Sequence, residues 1–239
     1  MLVPLALTAA AAVGVGIHGI FAPRSRLWGP VISRGDAGGA PRVALTFDDG
    51  PHPEATPRVL DELARAGARA TFFVVGAHAA RWPQLVRRIH DEGHLVGTHS
   101  FEHRVSGSWA LRAYWEDSIT RTRSVVEDVL GRRPRWFRPP FAVKQWHLCQ
   151  AASGLDQTIV TFSRRGLDGT TTRPERIVAR LVPRAQAGDI LALHDGVLEG
   201  LPRDILPTLQ ALRPVIDGLR ARGLAIAPLD QLIAPPPYG

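Results

Sequence analysis

Two adjacent carboxylates, Asp48 and Asp49, close an apolar run early in the 239-residue chain. Further along come a His-x-x-x-His spacing at His99 and His103, an arginine before two prolines at Arg138, and a His-Asp pair at His194 and Asp195. Two acids side by side at the tip of a strand cannot both enter an apolar core uncompensated, so a positive partner is implied beside them. Imidazoles four residues apart share one face of a helical turn, and this spacing is familiar from metal sites. Glu102 does not follow the first His directly, so the arrangement differs from the His-Glu-x-x-His of zinc proteases. One carboxylate from the first strand tip added to the two imidazoles gives three protein ligands with positions left open, which is how catalytic zinc is held. Arg138 can grip a carboxylate in bidentate fashion, with Pro139 and Pro140 stiffening the loop behind it. Taken singly, each motif has a plainer reading: an acidic turn before a helix, a chance spacing, a structural histidine at a strand end.

Chemistry of this kind needs a scaffold that brings strand ends together. Apolar runs predict strands at Arg42 to Phe47, Ala70 to Val75, His94 to Thr98, Trp136 to Arg138, Gln157 to Phe162, Asp189 to His194 and Leu224 to Pro228. Amphipathic stretches between them predict helices at Glu54 to Ala66, Pro83 to Glu92, Trp109 to Leu130, Val143 to Ala152, Pro174 to Arg184 and Pro202 to Arg222. Strand and helix alternating about seven times implies an α/β fold of parallel strands with helical crossovers, either a barrel or an open doubly wound sheet. In both, ligands bind at the C-terminal ends of the strands, where the polar motifs lie.

With 45% hydrophobic and 21% charged residues the chain is an ordinary globular protein, long enough for one large core. Its formal charge of +7 does not form a patch: Lys144 is the sole lysine, and the arginines are scattered over solvent faces, so nucleic acid is not expected as a partner. A single cysteine, Cys149, excludes an intrachain disulfide and a thiolate zinc cluster, so any metal must be held by His and carboxylates. Residues 2–22 carry no charge and are long enough to cross a bilayer, so residues 1–22 are expected to form an apolar helix that anchors the protein to a membrane. No basic residue precedes the run as in a signal peptide. Arg24, Arg26 and Arg34 follow it, which favours the cytoplasmic face by the positive-inside rule. Residues 23–41, rich in Gly, Pro and Arg, are expected to be a linker, with the catalytic domain over 42–239.

The ordered set Thr46-Phe47-Asp48-Asp49-Gly50, His99-Ser100-x-x-His103, Arg138-Pro139-Pro140-Phe141 and Leu193-His194-Asp195 resembles the NodB-type polysaccharide deacetylases, the family 4 carbohydrate esterases. The resemblance covers about residues 42 to 230. It implies a distorted (β/α) barrel of about seven parallel strands and a metal-dependent hydrolase that removes N-acetyl or similar acyl groups from amino sugars of a polysaccharide, peptidoglycan or lipid-linked glycan. Asp49, His99 and His103 are similar to the family's ligands for one divalent ion, zinc first, with cobalt, nickel or iron as substitutes. Asp48 resembles its general base, Arg138 the residue that orients that base, His194 the general acid and Asp168 the partner of the acid. Phe141 stands where the family usually has Tyr and where a backbone N–H helps form the oxyanion hole, so Phe is tolerated. Gly169 replaces a usual Trp and Ala192 a usual Leu, which removes bulk near the acyl group or sugar and points away from chitin-like polymers. The family places such enzymes in the cell envelope. Three other readings stand beside this one: hydrolysis of another amide such as an N-formyl lipid-linked sugar, a silent carbohydrate-binding protein, and an iron oxygenase built on two His and a carboxylate.

Overall fold

The computed structural model describes residues 14–36, 38–169, 173–196 and 205–239. Eight strands, β1 (Arg42–Asp48), β2 (Thr71–Val74), β3 (Leu95–Thr98), β4 (Trp136–Phe137), β5 (Thr158–Ile159), β6 (Arg164–Arg165), β7 (Ile190–His194) and β8 (Ala225–Ile226), form one parallel sheet. The order is β5-β4-β3-β2-β1-β7-β6, with β8 pairing the start of β1. This seven-strand path curls into an incomplete barrel. Among the described residues the α-helices are α1 (14–21), α2 (Ala55–Arg65), α3 (Gly76–Arg81), α4 (Pro83–Asp91), α5 (Arg112–Leu130), α6 (Trp146–Gly154), α7 (Pro174–Leu181) and α8 (Leu206–Ala221).

Side-chain alternation along the strands decides what faces inward. On β1, Val43, Leu45 and Phe47 join the larger apolar cluster beneath α2, α4, α7 and α8, whereas Ala44 belongs to the smaller interior cluster. Period two therefore turns Thr46 and Asp48 to the interior with Ala44. The same parity on β7 sends Leu191 and Leu193 outward and Ile190 and Ala192 inward, so His194 shares the face of Asp48. On β4, Trp136 is interior, and Arg138 just beyond the strand keeps its parity.

Between β5 and β6 the sheet does not close on itself, and a strap N-terminal to β1 fills the gap. Ile32 bridges Val160 and Arg34 bridges Asp189, with backbone bonds from Ile32 to Ile159 (2.9 Å), Thr161 to Ile32 (2.8 Å) and Gly35 to Gly188 (2.8 Å). Upstream, the Lys144 ammonium donates to the Ala22 carbonyl at 2.7 Å and the Lys144 amide to the Ile20 carbonyl at 3.0 Å, which satisfies the open end of α1. The expected membrane helix over 2–22 falls largely on residues 1–13, outside the described residues. Among the described residues no helix is long and apolar enough to cross a membrane.

Two elements escaped the sequence reading. The two-residue β6 consists of Arg164 and Arg165, which carry no apolar periodicity, and α3, which opens on Gly76, is only six residues long, too short to show a helical apolar period. Most other boundaries differ by one to four residues, as frayed ends do.

His94, 3% exposed, accepts a hydrogen bond at Nδ1 from the Ala70 amide (3.1 Å), which requires an unprotonated ring nitrogen. Burial, with Arg69 nearby, pushes its pKa down to about 4, only partly opposed by Glu92. Between pH 6.5 and 4 the unfolded chain therefore binds a proton that the folded chain refuses. Stability from this group is complete above the unfolded value and is lost as pH falls, by about 3 kcal/mol in full. Thermal unfolding of the wild type and of His94→Asn, which keeps an acceptor but does not titrate, should show the wild type losing more stability over that interval. Parallel pH curves would refute this account.

Candidate metal centre and acyl pocket

At the C-terminal end of β1 the backbone leaves extended geometry: Asp49 has φ of 72°, rare for a residue other than glycine. That break turns the second of the two acids away from the face of the first. No side chain fits at Gly50, because a Cβ there would run into the Asp195 carboxylate. Asp49 Oδ1 lies 3.4 Å from His99 Nε2 and 3.2 Å from His103 Nε2, and all three residues are buried. One ligand atom from each lies within 4.8 Å of the others.

Sequence spacing predicts this convergence through a helical turn, and the structure corrects the cause. Residues 99–103 form no helix; positive φ values at Ser100 (66°) and His103 (51°) bend the chain, held by the Ser100 hydroxyl accepting from the His103 amide at 3.1 Å. His99 Nδ1 is 2.7 Å from the Arg138 carbonyl, which can only accept, so Nδ1 carries the proton and the Nε2 lone pair faces Asp49. Burial and the neighbouring His99 push the His103 pKa down to about 4, leaving its ring neutral near pH 7. Although burial works against it, the neighbouring rings of His99, His194 and His103 hold the Asp49 carboxyl far below the usual carboxylate range. Two neutral imidazoles and an ionised carboxylate with converging lone pairs are the donor set a divalent cation requires.

Asp48 faces the interior, where Arg138 Nη1 donates to its Oδ1 at 2.7 Å. Arg138 is fully buried and fully engaged, donating also to Thr46 Oγ1 (2.7 Å), Thr161 O (2.9 Å) and Val160 O (3.3 Å) while its guanidinium packs 4.0 Å over Phe73. This is the positive partner implied by the paired acids. A buried charge of this kind persists only when paired and hydrogen-bonded.

Across the pocket, His194 Nδ1 sits 2.8 Å from Asp168 Oδ1, and its Nε2 lies 4.0 Å from Asp49 Oδ2. Asp168 Oδ2 accepts from the His194 amide and from the Thr208 hydroxyl, both at 2.8 Å. Burial raises the Asp168 pKa, but the His194 charge and these hydrogen bonds bring it below the ordinary value. Phe141, with φ of 56°, packs edge-on against the His103 ring at 4.7 Å. Ala192 and Gly169 line the same pocket of about 260 Å³, together with Phe162, Leu167 and Arg165.

All ten residues singled out in the sequence thus meet in one cavity or directly behind it. Sequence reasoning missed the supports: Thr46 under Arg138, Thr208 behind Asp168, and His78, whose Nδ1 lies 2.9 Å from the Asp49 carbonyl. It also missed the fully buried Asp195, whose pKa burial raises to about 7 and whose Oδ2 accepts from Thr56 at 2.5 Å. Thr46 and Asp195 stand inside the quoted motifs, but nothing local shows that they are supports.

Comparison with known proteins gives a consistent picture. Residues 35–160 match the family model described as polysaccharide deacetylase. A chitooligosaccharide deacetylase of Bradyrhizobium sp. (strain ANU 289) is 33% identical over 204 residues, covering 83% of this chain and 93% of that protein. The Bc1960 peptidoglycan N-acetylglucosamine deacetylase, solved with a bound hydroxamate-type benzamide, superposes with a TM-score of 0.76 at 27% identity, covering 85% of this chain and 92% of that one. The family 4 carbohydrate esterase from Streptomyces lividans, solved with acetate, gives 0.71 at 29% identity over 82% and 98% of the two chains.

Proposed function

The chain belongs to the polysaccharide deacetylase family, and from that premise we propose that it hydrolyses the N-acetyl, or a similar N-acyl, amide of an amino sugar within a polysaccharide, peptidoglycan or lipid-linked glycan. The observation that carries this reading is the meeting, in one cavity, of a three-ligand cation site with two separately wired proton-transfer groups. Amide hydrolysis needs an activated water, a place for the developing oxyanion and a proton for the departing nitrogen. Asp49, His99 and His103 would hold one divalent ion, zinc by the chemistry of its two imidazoles and carboxylate. That ion, when bound, supplies Lewis acidity toward water and the acyl oxygen.

Asp48 receives the proton of the attacking water. Because Arg138 engages Oδ1, Oδ2 is the oxygen left for it, and the rigid guanidinium keeps the carboxylate aimed. His194 hands a proton to the leaving nitrogen. Its Nδ1 is occupied by Asp168, so Nε2 is the atom that exchanges a proton with the pocket. Phe141 lines the pocket with its ring against that of the cation ligand His103, and its backbone amide serves as an oxyanion donor; the side chain makes no hydrogen bond in that role, so Phe replaces Tyr without loss.

Removal of metal tests the assignment. The purified protein should hold about one divalent ion, lose acetate release on chelation and regain it with Zn or Co, while Asp49→Ala should bind no stoichiometric metal. Undiminished activity in metal-free protein would overturn the site.

A further inference from the structure

Beside the acyl pocket runs a second cleft of about 500 Å³, between the N-terminal segment and β6. The two spaces are neighbours, with Phe162 and Arg165 lining both. The far wall is held in place by the Thr161 hydroxyl donating to the Pro23 carbonyl at 2.8 Å and by the Lys144 ammonium on the Ala22 carbonyl. Among the described residues three arginines line this cleft, Arg24, Arg164 and Arg165, and no carboxylate does.

Their pairing is unlike that of the arginines on the helices. Arg88, Arg112, Arg121 and Arg213 each meet an acid four residues away along the chain. In the cleft, Arg164 is neutralised by Asp189 at 2.6 Å. Among the described residues Arg24 has only the Ser163 carbonyl, at 3.3 Å, and no acid pairs with it or with Arg165. Arg165 is also placed by the sheet: it pairs with Ala192, two residues before His194. Two guanidiniums with which no acid among the described residues pairs thus line a cleft adjoining the reaction site, where a neutral glycan would offer them hydroxyls alone.

We propose that this cleft binds an oxyanion carried by the substrate, a phosphodiester or carboxylate on the residue attached to the sugar whose amide is cleaved, with Arg165 and Arg24 as its partners. The inference rests on the deacetylase reading and narrows its substrate class from neutral oligosaccharides to anionic glycoconjugates. Guanidinium forks suit either oxyanion, so the two sources share one recognition chemistry.

Acetate release by the metal-loaded full chain from matched pairs of substrates tests it. One pair is an N-acetylglucosaminyl alkyl phosphodiester against the neutral alkyl glycoside. The other is a disaccharide bearing a lactyl carboxylate against its neutral amide. At least one anionic member should have a kcat/KM about tenfold higher than its neutral match, the scale of one charge-assisted hydrogen bond. The advantage should lie in KM and shrink with added salt. Whichever pair shows it identifies the source of the anion. Arg24→Gln, outside the acyl pocket, should lower that ratio while leaving the neutral glycoside unaffected, and Arg165→Gln should bring the ratio close to one. Equal rates within both pairs, or a ratio that survives both substitutions, overturn the proposal and leave the deacetylase reading standing. Failure to hydrolyse any of the four substrates overturns both.

Discussion

Asp48→Asn should depress hydrolysis of every substrate, whatever its leaving group, by the 10²-fold to 10⁴-fold or so that a positioned general base contributes. Water must be deprotonated before or as the carbonyl is attacked, and an amide side chain cannot take the proton. The change also strips Arg138 of its only carboxylate partner among the described residues. A fully buried guanidinium left with neutral acceptors destabilises the fold by about 3 kcal/mol. The two effects separate cleanly, because Asp49, His99 and His103 are untouched by the substitution. Metal content should stay near one ion per chain, the thermal midpoint should drop, and activity at a temperature well below that midpoint should still be lost. Arg138→Met serves as the companion measurement: it too removes the ion pair, yet leaves a carboxylate able to accept a proton. It should therefore retain more activity than Asp48→Asn at comparable loss of stability. A variant Asp48→Asn within tenfold of wild type would show that this carboxylate is not the base.

His194→Ala should split substrates instead of affecting them alike. A sugar amide expels an amine that cannot leave without a proton, so its hydrolysis should fall by about 10²-fold to 10⁴-fold. An activated aryl acetate expels a stable anion and should be largely spared. The side chain is partly exposed, with its ring held by Asp168, so truncation opens a small solvated space and leaves the core packed. Asp168→Asn should reproduce the same preference in milder form, since it keeps the ring in place but disturbs the proton on Nδ1. The comparison cancels general damage, because a weakened fold or a lost metal lowers both rates together. Equal losses on amide and aryl ester, with fold and metal intact, would remove His194 from the role of acid.

How far the molecule could be read from its sequence depended on the range of the interactions involved. β1 and β7 were legible because their alternation is local, and the same period of two placed Asp48 and His194 on one inward face once the strands were adjacent. The short β6 was not legible: two arginines enter a strand there because β7 offers open backbone groups beside them. His99 and His103 were identified by spacing that presupposed a helical turn, although the chain brings them together through two left-handed residues. The spacing was informative and the geometry behind it was not. Residues 31–36 read as linker composition, and only their backbone bonds to the sheet show that they fill its open side.

What the sequence by itself determined is the chemistry available: which side chains can bind a cation, accept a proton or donate one, and the order in which they meet strand ends. Those are properties of residue type and short-range period, carried by a few neighbours along the chain. What only the tertiary structure decided is which partner each group has. Arg138 lies 90 residues from Asp48 and Thr208 lies 40 from Asp168. Whether an acid becomes an ion-paired base, a cation ligand or the anchor of a histidine depends on what the fold buries beside it. Burial and hydrogen-bonding partners set the free energy of each protonation state, and both are properties of the packed barrel, not of any segment of it.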